Sequence, residues 1–278
     1  HDALWAHFDL TGAESRPEGP GHTLAMGLAN SETGAITGPP ERVDGQYLYG
    51  TLRCDTLLLD ITQAVGRLPF SFAWSGAEMA ILSAHKLGGP KGVGALYIRR
   101  GHRFTPLLWG GGQESGRRSG TENTAGIVGM GAAAACAMRY LAQPPEVSLG
   151  AVRDTFESKL LAELSGVTVN GEPAHRLPNT SHLSFDGCDA AGLLILLDET
   201  GVACSAGSAC MTGKQRPSHV QLAMGISEAR AKSSLRISFS RLSTMEEAIA
   251  AADAVKKAVE KLRRVQGPGV GPVVIYSP

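Results

Sequence analysis

Lys86 and Asp60 carry the strongest chemical signal in this 278-residue chain. Lys86 lies in "ILSAHKLGGPKGVGALYI", residues 81–98. An apolar run ends at Ser83, His85 and Lys86 stand side by side, and Gly88, Gly89, Gly92 and Gly94 strip the following loop of bulk. An amine at the mouth of a buried strand can reach a ligand seated at the end of a sheet. Glycines let that ligand approach the backbone. Asp60 closes a second apolar run, "TLLLD", with Gln63 three residues on. A carboxylate at the end of a buried strand needs a partner. Taken singly, a lysine on a tight turn is usually solvated and such an aspartate usually caps a helix or joins an ion pair. Their pairing on neighbouring strands points beyond those roles.

The glycine stretches exclude two other readings. "GGPKGVG" lacks the G-x-x-x-x-G-K-[ST] pattern of a phosphate-binding P-loop and does not open a helix. "GGGQESG" is not a dinucleotide fingerprint between strand and helix. A strand-end lysine suits imine formation with a cofactor aldehyde, and pyridoxal phosphate further needs an acid beside its ring nitrogen. Asp60 has the right character.

A third feature is "GVACSAGSACMTGKQRPSHV", residues 201–220. Small residues lead to Cys210, and a polar stretch with Gly213, Lys214 and Arg216 follows. A cysteine so placed, with basic neighbours, has the setting of a reactive thiolate. Cys54, Cys136, Cys188 and Cys204 are assigned no such role.

Elements that position these groups follow from the periodicity. Residues 22–30, 56–63, 77–84 and 93–98 read as buried strands, the pattern of an α/β sheet with function at its strand ends. Residues 121–143 read as a long helix of small residues starting at Thr121 or Glu122, broken by Pro144–Pro145. Beyond it, helix, strand, strand, helix and a closing helix opened by acidic and closed by basic residues fit a smaller α+β domain. The expected domains are 1–143 and 144–278.

Composition narrows the class. Lys+Arg and Asp+Glu are both 26. Zero net charge gives no support for nucleic acid or an anionic membrane as a partner. No apolar run is seen to approach the roughly 20 residues of a membrane helix. Five scattered cysteines without a CxxC pair argue against a disulfide framework and a structural zinc site, and for a reducing compartment, hence a cytoplasmic location.

"DITQAVGRLP", "SAHKLGGPKGVGALY", "GGGQESGRRSGTEN" and "SAGSAC" together resemble the cysteine desulfurases of the class V aminotransferase family. The resemblance runs from His1 to about Lys261. It implies a fold-type I pyridoxal-phosphate enzyme, α/β, with a large mixed-sheet domain and a smaller C-terminal α+β domain. It also implies a homodimer with a shared active site. By resemblance, Lys86 holds the cofactor and moves the substrate's α-proton, Asp60 keeps the ring nitrogen protonated, and Gln63 donates to the ring oxygen. Ser83 and His85 bind the phosphate, and Thr121 reaches it from the other subunit. His1 stacks on the ring and serves as an acid–base group. Asn30 or Ser31 touches cofactor and substrate, and Arg236 takes the substrate carboxylate. Cys210 accepts sulfur from L-cysteine as a persulfide, for delivery to a protein acceptor such as one in iron–sulfur cluster assembly, and L-alanine is released. No metal is implied. The family's N-terminal phosphate loop has no counterpart here, so an N-terminally incomplete chain is expected. A selenocysteine lyase, another class V lyase or an inactive sulfur-trafficking scaffold on the same fold are the alternatives.

Overall fold

The computed structural model describes residues 22–50, 52–206 and 217–266. It divides into two compact units, one of residues 1–29 and 37–144, the other of residues 30–36 and 145–278. Residues 30–36, assigned from sequence to the first domain, therefore belong with the second. Backbone bonds from Ile36 N–H to the His175 carbonyl and from Leu177 N–H to the Gly34 carbonyl, both 2.8 Å, weave them in. Such long-range pairing leaves no trace in local periodicity.

The first unit is built on a four-stranded mixed sheet ordered β1-β5-β6-β7. Its strands are β1 (Thr23–Gly27), β5 (Thr56–Asp60), β6 (Met79–Ser83) and β7 (Gly94–Ile98). β1, β5 and β6 run parallel, and β7 is antiparallel to β6. Leu57, Leu59, Ile61, Ala77 and Ala80 form its core. A small antiparallel sheet, β2 (Glu41–Val43), β3 (Gln46–Tyr49) and β4 (Leu52–Cys54), adds Tyr47 to that core. The Tyr47 hydroxyl donates to Glu78 at 2.9 Å. Burial, reinforced by that carboxylate, pushes its pKa up to about 12. The short turn α1 (Phe72–Ser75) precedes β6.

The long helix α2 spans Thr124–Ala142. Its cap is Asn123, whose Oδ1 accepts from Gly126 N–H at 3.0 Å, so the start lies past the expected Thr121 or Glu122. Small residues let it pack closely. A Cβ on Gly89 would sit 3.4 Å from Ala133, and one on Gly66 3.1 Å from Ala137. At 19 residues, α2 is also long and apolar enough to cross a membrane by length and composition. That corrects the absence expected from sequence, where runs of alanine and glycine hide the length of the apolar stretch.

The second unit packs helices on the antiparallel sheet β10-β9-β8: β8 (Val167–Val169), β9 (Thr180–Phe185) and β10 (Ser234–Ser238). Its helices are α3 (Leu149–Glu163), α4 (Ala190–Asp198), α5 (His219–Ala223), α6 (Glu228–Lys232) and α7 (Met245–Gln266). Along α7, Ala248, Ala252, Val255 and Val259 are buried at helical spacing. Phe156 of α3 meets Phe239 edge-on, ring centroids 5.5 Å apart.

Candidate active site

Asp60 and Ser83 end the neighbouring parallel strands β5 and β6 at the same sheet edge, with Asp60 opposite Ile81 in register. This is the edge where open α/β sheets receive ligands. Asp60 Oδ1 accepts from Thr62 N–H at 2.9 Å, a local bond that turns the chain as it leaves β5. After Ser83 the chain makes one 3-10 turn, Ala84–Leu87, presenting His85 and Lys86 to solvent while Ala84 and Leu87 are buried. Gly88 ends that turn at φ 94°, a left-handed conformation that glycine alone adopts without cost.

Arg67 ties this turn to the loop after β5, and nothing in the sequence singled it out. Its guanidinium donates to the Gln63 carbonyl at 2.7 Å and to the Lys86 carbonyl at 2.9 Å. It also meets Gln63 Oε1 at 3.4 Å. With the Oε1 so engaged, the Gln63 Nε2 is left as the donor side of the amide. The only hint in the sequence is the spacing of Arg67 four residues after Gln63.

Thr121 lies exposed in the stretch that leads into α2. Glu114 and Ser115, in the preceding loop, hold left-handed φ values of 52° and 55°. Such backbone conformations are uncommon for residues with a side chain.

In the second unit, Asn30 builds a tight turn. Its Oδ1 accepts from Glu32 N–H at 2.8 Å and Thr33 N–H at 2.9 Å. Arg236, on β10, donates to the Ser31 carbonyl at 2.7 Å. Asn30, Ser31 and Arg236 are therefore brought together, joined through a single peptide unit. Ser205 bridges to Arg236 by reciprocal backbone bonds of 3.1 and 2.7 Å, five residues before Cys210. Cys204 beside it is half-buried, and burial pushes its thiol up to about 11. That is the wrong direction for a nucleophile at neutral pH. His1 and Cys210 lie outside the described residues.

A polar network that no sequence signal announced runs behind this turn. His182, fully buried on β9, meets Asn170 Nδ2 at 3.0 Å and Gln221 Nε2 at 3.1 Å. Desolvation, with the Arg236 charge adding to it, lowers its pKa to about 4, so the ring is neutral near pH 7.

The aminotransferase class-V model matches residues 49–250, and the chain belongs to that family. It is 41% identical over 251 residues to the cysteine desulfurase NifS of Azotobacter vinelandii, covering 88% of this chain and 60% of that one. It is 43% identical over 220 residues to a cysteine desulfurase of Klebsiella pneumoniae, covering 79% and 54%. The chain thus spans about three fifths or less of these relatives' length. A solved NifS-like protein superposes with a TM-score of 0.72 at 30% identity, over 88% of this chain and 62% of that one. A structure described as SspA in complex with cysteine gives a TM-score of 0.59 at 29% identity, over 78% and 58%. The mixed α/β architecture, with its mixed sheet, is that of fold type I.

Cysteine desulfurases of this family depend on pyridoxal phosphate. The donor set at the first unit's sheet edge fits that group. It offers a carboxylate for a ring N–H, an amine for an aldehyde, and a hydroxyl and an imidazole for a phosphate.

Proposed function

We propose that the protein is a pyridoxal-phosphate-dependent cysteine desulfurase that converts L-cysteine to L-alanine and passes the sulfur to Cys210. The observation that carries this reading is the placement of Lys86 one turn beyond β6, with Asp60 ending the adjacent parallel strand. The cysteine desulfurase relatives and the cysteine-bound neighbour support it.

Pyridoxal phosphate, when bound, supplies an electron sink that acidifies the substrate's α-carbon and weakens its carbon–sulfur bond. Lys86 holds the cofactor and moves the α-proton. Asp60 keeps a proton on the ring nitrogen, and Gln63 Nε2 donates to the ring oxygen. Ser83 and His85, with Thr121 of a second subunit in a homodimer, bind the phosphate. Arg236 and Asn30 orient the substrate carboxylate, and Asn30 or Ser31 borders the cofactor. The planar fork of a guanidinium suits that bidentate task.

The Cys210 thiolate attacks the substrate sulfur. A sulfur–sulfur bond forms, the carbon–sulfur bond breaks with its electron pair remaining on carbon, and a proton added there completes L-alanine. His1 serves the substrate thiol as an acid–base group. A thiolate of a protein acceptor in the cytoplasm then takes the terminal sulfur of that persulfide, and the Cys210 thiolate is released.

The test is L-cysteine turnover by purified protein with dithiothreitol and pyridoxal phosphate. Equimolar sulfide and L-alanine are expected. Pyruvate and ammonia in place of L-alanine would refute the assignment.

A further inference from the structure

Glu32 is buried at 7% exposure, beside the residues that the proposed function assigns to the substrate carboxylate. Burying a carboxyl group is costly unless its oxygens are hydrogen-bonded. Both Glu32 oxygens are engaged by groups at the start of α5. Ser218 Oγ donates to Oε1 at 2.7 Å, and Gln221 Nε2 donates to Oε2 at 3.0 Å. Ser218 and Gln221 are themselves buried. Ser218 Oγ also caps α5 by accepting from Gln221 N–H at 3.3 Å.

The main chain of Glu32 is what gives this anchor its meaning. The peptide unit between Ser31 and Glu32 has two polar ends. Its carbonyl accepts from Arg236, and its N–H donates to Asn30 Oδ1. The plane of that one peptide therefore sets the guanidinium of Arg236 and the amide of Asn30 relative to each other. The Glu32 side chain leaves the same residue and fastens it to α5. The space around the turn leaves little slack. A Cβ on Gly34 would lie 2.9 Å from Thr180 Cβ, and one on Gly171 would lie 2.9 Å from Thr33 Cβ.

We infer that Glu32 is a positioning residue, one that holds the Ser31–Glu32 peptide in the plane which lets Arg236 and Asn30 grip a substrate carboxylate together. The inference rests on the proposed desulfurase reading for the identity of the substrate. It does not touch the sulfur chemistry. Its loss should therefore appear in carboxylate recognition and leave the bond-breaking steps largely alone.

The experiment compares Glu32→Ala and Glu32→Gln with the parent protein, all loaded with pyridoxal phosphate. Gln221 Oε1 is buried without a hydrogen-bond partner, so its amide can turn over and accept from a glutamine at position 32. Glu32→Ala is expected to raise the KM for L-cysteine about tenfold or more with kcat changed less than about threefold, and Glu32→Gln to restore most of that loss. A second readout avoids turnover. L-alanine and L-alaninol, which differ in the carboxylate, are titrated against the absorbance of the bound cofactor. The parent should favour L-alanine, and Glu32→Ala should lose that preference. Should Glu32→Ala not fold, Gln221→Leu removes one of the two anchors and is expected to shift KM in the same direction by a smaller factor.

Folded Glu32→Ala with unchanged KM and unchanged preference for L-alanine would overturn the inference. Equal impairment of the alanine and glutamine variants would overturn it too, since hydrogen-bonded placement would then not be what matters. A parent protein that fails to consume L-cysteine sinks the desulfurase reading instead. Positioning is then decided by amide exchange at Thr33, which Glu32→Ala must accelerate.

Discussion

The two units position their candidate residues by opposite means. In the first, Lys86 and His85 stand on an exposed turn, held through the main chain by a left-handed Gly88 and by Arg67 on the Lys86 carbonyl, while the Asp60 side chain on Thr62 N–H shapes the neighbouring loop. In the second, Arg236 and Asn30 lean on a buried network of side chains, from Glu32 through Gln221 and His182 to Asn170 and Arg230. A backbone-built site tolerates loss of the side chain it displays, because that side chain is exposed and adds little to the core. A network-built site loses stability with any member, since each removal strands a buried donor or acceptor.

Lys86→Ala is the sharpest test of the first half of that contrast. With its amine gone, activity should fall by at least about a thousandfold. Stability should barely move, because the side chain is exposed. Mass spectrometry after borohydride should find no cofactor on the variant. A reducible link to another lysine would contradict the assignment.

Next in size is the pair of cysteines that bracket "SAGSA". Cys210→Ser should cut L-cysteine turnover by about a hundredfold or more, since an alcohol is a far weaker nucleophile than a thiolate. Cys204→Ser should keep most activity, because burial holds that thiol protonated. Parallel turnover assays decide, and reversed outcomes would move the sulfur acceptor to Cys204.

The buried network makes the second unit sensitive to pH. His182 stays neutral in the folded chain down to about pH 4, whereas an unfolded histidine takes up its proton near pH 6.5. Between those values the unfolded state binds more protons, so stability falls as the pH is lowered through that window. From pH 7 to pH 5 the loss should be about 2 kcal/mol from this one group. Denaturant unfolding at both values measures it. His182→Asn should flatten the dependence while lowering stability at pH 7, whereas an equally steep curve in the variant would place the titration elsewhere.

What the sequence shows divides along the same line. Lys86 and Asp60 are legible because they interrupt apolar runs, and an interruption at a strand end is a local event. β5, β6 and α2 are legible for the same reason. His182 is invisible in "NTSHLSF", since every residue of β9 is buried on both faces and no alternation marks it. Glu32 reads as an ordinary surface glutamate until Ser218 and Gln221, nearly two hundred positions away, are placed against it. Residues 41–54 escape as strands because the runs are short and mix polar with apolar residues; Tyr47 and Cys54 are buried there. Local patterns report backbone-built features, and only assembly reports networks.

Arg67 gives the smallest expected effect and the finest test, because it is a side chain doing backbone work in the backbone-built unit. One guanidinium spans the Gln63 and Lys86 carbonyls, a reach that a single ammonium does not reproduce. Arg67→Lys should therefore release one of the two loops while keeping the charge. Losing a charge-assisted hydrogen bond at a partly exposed site costs on the order of 1 kcal/mol, so pyridoxal phosphate should bind about fivefold more weakly. The midpoint of unfolding without the cofactor should change little. Equilibrium dialysis against pyridoxal phosphate measures the first, and thermal melting the second. A lysine variant with unaltered cofactor affinity would show that the Lys86 turn is held by Gly88 and the packing of Ala84 and Leu87 alone. The contrast between the two units would then be sharper still.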